Sequence, residues 1–105
     1  RAKRRNHKRP NPGEVKACRP WLEAELRSIK PALVVCLGAT AAQSVLGPQF
    51  KLMQQHGTLQ TSALSDRVVA TIHPSSVLRQ RDAAERQKAL DMLVDDLKVV
   101  ARLLA

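Results

Sequence analysis

Apolar and polar positions repeat in two different registers along this 105-residue chain. The first is helical. After Asn11-Pro12-Gly13-Glu14, which reads as a helix start, Val15, Cys18, Leu22, Leu26 and Ile29 recur at helical spacing, the mark of one buried helical face. Pro20 falls inside this run and either kinks the helix or restarts it with proline near a first turn. Lys30-Pro31 ends it. The second register is continuous: residues 32–37 are apolar, rich in β-branched side chains and bounded by Pro31 and Gly38. That predicts a buried parallel strand. Residues 39–46 predict a short helix stopped by Gly47-Pro48, residues 48–57 a loop or weak strand, and residues 58–61 a further short strand. Residues 68–72 form the second convincing buried strand. Asp82 caps a long last helix. Its apolar stripe is Leu90, Leu93, Val94, Leu97, Val100 and Leu104, opposite Arg86, Asp91, Asp95, Lys98 and Arg102.

Helix, strand, helix, strand, helix is an α/β order: half of a doubly wound, three-layer α/β/α sandwich with a mainly parallel sheet. Two or three strands cannot cover both faces of such a sheet, and the chain starts at Arg1 rather than Met. An amino-terminal half is therefore expected upstream, with residues 11–105 as the carboxyl-terminal half. No internal repeat is visible.

Composition adds three constraints. An apolar fraction of 44% suffices for a packed core, but Trp21 and Phe50 are the only aromatic side chains, which argues against base-stacking single-strand readers. The net charge of +9 is uneven: residues 1–10 hold six cations and no acid, and residues 11–105 carry a net of +3. A basic arm of this kind marks phosphate contact, or else a solvated tail or localisation signal. No apolar stretch approaches the roughly 20 residues that span a bilayer, no signal peptide is visible, and two cysteines do not make a disulfide framework. A cytoplasmic, monomeric protein with no membrane partner is the expectation.

Two histidines have the settings that carry chemistry. His73 ends the second strand and is followed by Pro74-Ser75-Ser76. The carboxyl end of a buried strand is where open α/β sheets keep their ligand crevices, and the serines offer hydroxyls and N–H groups to a phosphate or to the next helix. The plainer reading is a strand-end histidine beside a serine cap. His7 follows Lys3-Arg4-Arg5-Asn6. It is an incidental solvated residue or a nucleophile or acid/base group held against a sugar-phosphate backbone. Cys18, on the inner face of the first helix, is a core residue or a metal ligand. Cys36, mid-strand, reads as core. His56 precedes Gly57 in a loop and has no obvious partner. Gly38 makes a tight strand-to-helix turn, too little to signal a nucleotide loop.

Five blocks in order make the pattern specific. These are Lys3-Arg4-Arg5-Asn6-His7-Lys8, Glu14-Val15-x-Ala17-Cys18-Arg19-Pro20-Trp21-Leu22, Val34-Val35-x-Leu37-Gly38-Ala39-Thr40-Ala41-Ala42, His73-Pro74-Ser75-Ser76-x-Leu78-Arg79 and Val94-Asp95-Asp96-Leu97. Together they resemble the carboxyl-terminal half of the iron–sulfur uracil-DNA glycosylases, most of all the UdgX-type branch with its Lys-Arg-Arg-x-His insertion. The resemblance implies that His7 attacks the deoxyribose anomeric carbon and stays bound to DNA. It implies that His73 hydrogen-bonds uracil as the base leaves. Ser75, Ser76 and Arg79 would hold DNA near the flipped nucleotide, with Lys3, Arg4 and Arg5 on phosphates. Cys18 would be the last ligand of a 4Fe–4S cluster. The family's first motif, its uracil-binding Asn segment and the other cluster ligands do not occur in this sequence. Asn6 replaces a usual apolar residue, and His56 a usual Arg.

The implied function is excision of uracil from single- or double-stranded DNA with the sugar trapped on His7, in a complete protein of which this chain alone is inactive. The alternatives are hydrolytic excision, and a basic DNA-binding module of the same fold without catalysis. If the arm grips phosphates, neutralising Arg4 and Arg5 lowers the slope of log affinity against log salt by one to two units, at roughly 0.9 per duplex phosphate contact. Affinity titrations across a salt series measure it; an unchanged slope means a solvated arm.

Overall fold

A computed structural model describes residues 12–105, with side chains from Arg19 onward; the basic arm, including Lys3, Arg4, Arg5 and His7, lies outside the described residues. Seven elements follow in order: α1 (Pro12–Ile29), β1 (Val34–Leu37), α2 (Ala39–Leu46), α3 (Leu52–Gln55), β2 (Val68–Thr71), α4 (Pro74–Leu78) and α5 (Ala83–Leu104). β1 and β2 pair in parallel, Val34 with Val68 through Leu37 with Thr71. The α/β expectation holds, with helices on both faces of a parallel pair.

Strand alternation sorts the two faces. Cys36, Val68 and Ala70 point to one side and pack with Ala42 and Val45 of α2 and with Phe50; Leu22 of α1 and Leu52 of α3 close around them. α1 runs through Pro20 without a break. It is tied to α2 by the Arg19 guanidinium, which donates to the Ser44 carbonyl and pairs with Glu23 at 3.1 Å. Ile29, placed by spacing on the inner face, is exposed; Lys30 turns into the left-handed region at φ 49° and redirects the chain there. Val69 and Thr71 point to the other side, which α5 covers.

Three expectations need correction. Residues 52–55 form α3 rather than loop or strand. The strand expected at 58–61 shrinks to a single antiparallel bridge between Gln60 and Val68. The stripe on α5 is rotated: the side chains turned inward are Leu93 and Asp96, whereas Leu90, Val94, Leu97 and Leu104 stand exposed at 39% or more. Leu93 belongs to the expected stripe and Asp96 does not, so apolar spacing alone could not say which part of α5 docks. β1 is likewise covered on one face only: Cys36 is buried, while Val35 and Leu37 are exposed. Among the described residues no helix is long and apolar enough to cross a membrane.

Burial pushes the Cys36 thiol up from 9.0 to about 11. The native state thus holds the proton that the unfolded chain gives up near pH 9. Stability contributed by the neutral thiol is whole below pH 9 and is lost as pH rises toward 11. Urea midpoints should fall through this window, and Cys36→Ala should flatten that part of the curve.

Candidate active site

Parallel pairing carries both strands out at the same end, so the two turns that follow them are neighbours. The first is Gly38, whose N–H donates to the Thr71 carbonyl at 2.8 Å. Its backbone, at φ 95° and ψ 161°, lies in a region open essentially to glycine. A Cβ there would stand 3.5 Å from the Cβ of His73, so the first turn lies directly against the second.

The second turn begins α4, a helix of five residues. His73 is its N-cap and Pro74 occupies the first position, where a missing N–H costs nothing. The capping atom is the imidazole Nδ1, which accepts from the Ser75 N–H at 3.0 Å and lies 2.9 Å from the Ser75 hydroxyl. A backbone N–H can only donate. Nδ1 is therefore the acceptor, and the neutral ring carries its proton on Nε2. Arg79 extends the chain of donors: Nη1 donates to Ser75 Oγ and Nη2 to Ser76 Oγ, both at 3.1 Å. The Ser75 N–H and the Ser75 hydroxyl, itself held by Arg79 Nη1, both meet Nδ1, which leaves Nε2–H as the remaining ring donor on an exposed side chain.

His73, Ser75, Ser76 and Arg79 thus form one cluster. The Ser75 hydroxyl lies between His73 and Arg79, and the Ser76 hydroxyl accepts from Arg79. His7 and its cations lie outside the described residues. Cys18 belongs to α1, and its side chain also lies outside the description. Among the described residues no group of three or more His, Cys, Asp or Glu stands where it could hold a metal ion, and Cys36 is a buried, protonated thiol in β1. The described residues do not by themselves fit a 4Fe–4S cluster.

Residues 2–98 match the uracil DNA glycosylase superfamily. The chain belongs to that superfamily. Three curated relatives are each called "Type-4 uracil-DNA glycosylase". The one from Thermotoga maritima is 32% identical over 87 residues, covering 82% of this chain and 45% of the relative. That from Pyrobaculum aerophilum is 27% identical over 82 residues, covering 71% and 42%. That from Archaeoglobus fulgidus is 28% identical over 95 residues, covering 80% and 46%. The chain spans about half the length of the curated relatives it matches.

Sequence reasoning missed one group beside this cluster. His56, which had no evident partner, has its Nδ1 2.8 Å from Asp96 Oδ2. In the sequence Asp96 stands out only as part of the block Val94-Asp95-Asp96-Leu97. The available signal was its position three residues after Leu93 and four before Val100, inside the apolar arc.

The Gly38 turn yields a direct test. Gly38→Ala meets no steric neighbour closer than ordinary contact but must leave its backbone region. It should destabilise the full-length protein by about 1–3 kcal/mol, read as a lower urea midpoint at constant slope.

Proposed function

We propose that this chain is the His73-bearing half of an enzyme that excises uracil from DNA. The observation that carries the reading is the Nε2–H of His73, fixed by the Ser75 N–H on Nδ1 and presented at the carboxyl end of β2. Uracil must leave the base stack before its glycosidic bond can be reached. As the C1′–N1 bond breaks, its electron pair passes to the base, and negative charge grows on the uracil oxygens. A pre-set N–H donor is suited to that charge, because it needs no reorganisation as the charge develops. Superfamily membership and the names of the relatives support the same substrate.

The acceptor of the sugar is His7 in this proposal. Its imidazole nitrogen bonds to C1′ as uracil departs, and the other ring nitrogen releases its proton to water, leaving a covalent histidine–deoxyribose link. Support comes from the resemblance of Lys3 to His7 to the UdgX-type insertion. Lys3, Arg4 and Arg5 hold flanking phosphates and carry no sequence information. Residues 11–105 supply the carboxyl-terminal half of the α/β/α domain, and the remainder of the domain covers Val35 and Leu37. Cys18 is one ligand of a 4Fe–4S cluster completed from outside this chain. The names of the relatives do not say whether the sugar passes to His7 or to water, so the two outcomes must be separated by the product.

Timed incubation of the full-length protein with a single-uracil oligonucleotide, run on a denaturing gel, separates them. A retarded band marks the covalent link; an abasic product marks hydrolysis; neither marks DNA binding alone. His73→Ala should slow excision by about 10²–10³-fold without changing the product. His7→Ala should abolish the retarded band. A heat- and detergent-stable adduct with His7→Ala would assign the nucleophile to another residue.

A further inference from the structure

We propose that Asp96, held between His56 and Thr71, is a positioning residue for the His73 turn. Asp96 is 5% exposed and Thr71 fully buried. One carboxylate oxygen, Oδ2, accepts the Thr71 hydroxyl at 2.5 Å and lies 2.8 Å from His56 Nδ1. A carboxylate is tolerated at such depth only when it is paired and hydrogen-bonded, and three separate elements combine to do this. His56 closes α3, Thr71 ends β2, and Asp96 comes from α5. The next residue tightens the join. The Gly57 N–H donates to the Ala70 carbonyl at 2.8 Å, and a Cβ on Gly57 would fall 2.2 Å from Asp96 Oδ1. With φ at 71° as well, the loop can approach the carboxylate only as glycine.

Thr71 is where this group meets the candidate active site. Its side chain goes to Asp96 and its carbonyl accepts the Gly38 N–H at 2.8 Å. The same residue therefore sets the height of both neighbouring turns. One buried residue, Ile72, separates it from His73. Stability by itself is a poor reason for such an arrangement, because apolar packing of equal volume commonly does as well as a buried polar contact. What the contact supplies is direction: the Thr71 hydroxyl must point at Asp96 to make its bond, which ties the end of β2 to α5.

The rate readout rests on the uracil-excision reading above, so a second readout is independent of it. In the full-length protein, Thr71→Val keeps shape and removes the hydroxyl, whereas Thr71→Ser keeps the hydroxyl. Single-turnover uracil release should fall by about 10–100-fold in Thr71→Val, since a displacement near 1 Å can cost about 10²-fold. Affinity for uncleaved uracil DNA should stay within about twofold, and Thr71→Ser should recover most of the rate, because the hydroxyl carries the coupling. The ring-nitrogen resonances of His73 should move in Thr71→Val and in Asp96→Asn, and not in Thr71→Ser. Unchanged rate and unchanged His73 resonances in folded Thr71→Val overturn the proposal, even if its thermal midpoint drops, because the group is then only a structural clip. If the unsubstituted protein releases no uracil, the excision reading fails, and the His73 resonances alone decide on positioning. Should Thr71→Val not fold, His56→Leu at the more exposed rim replaces it: shifted His73 resonances support the proposal and unshifted ones overturn it.

Discussion

Four rungs of parallel pairing, Val34 with Val68 through Leu37 with Thr71, set the geometry on which the candidate active site depends. Parallel strands leave the sheet at the same end, so the residues that follow them are brought side by side by the ladder itself. Gly38 and His73 are neighbours for that reason, although 35 positions separate them in the chain. A slip of one residue would turn the slipping strand over, sending Cys36 out of the core if β1 moved or turning Thr71 away from α5 if β2 did.

Within that frame the short helix α4 has too few residues to hold together on propensity. Its start depends on side chains, and the main one is His73. The capping bond that completes α4 is also the bond that commits Nδ1 as an acceptor and leaves the proton on Nε2. Structural and chemical roles fall on opposite nitrogens of one ring. Arg79, one turn later, braces both serines and so the capping loop as a whole. One cation of a strongly basic chain is thereby committed to neighbouring hydroxyls at the surface.

The core is polar at one point only among the described residues, where Thr71 meets Asp96. Elsewhere it is small and aliphatic, with Phe50 the single buried aromatic side chain. The polar contact ties the α5 side of the sheet to the loop at Gly57, while aliphatic packing ties the other side to α1, α2 and α3. The two faces are thus joined by different forces: packing on one is adaptable, and the hydrogen-bonded contact on the other fixes distance and direction.

The sequence by itself determined the α/β class, both strands, the first, second and last helices, and the cap at Asp82, whose side chain accepts the Glu85 N–H at 2.8 Å. These are local or periodic properties, set by the order of apolar residues and by turn chemistry. His73 was legible as a candidate because its signal, a buried run ending in His-Pro-Ser-Ser, is also local. Only the tertiary structure decided which half of the α5 arc faces the sheet, that 52–55 is helical, and that residues 58–61 pair through Gln60 alone. It alone revealed the partner of His56, because Asp96 lies 40 residues away and no local pattern links them. The tautomer of His73 was likewise beyond the sequence: it depends on where one N–H points once the turn has closed, and a residue type does not carry that direction.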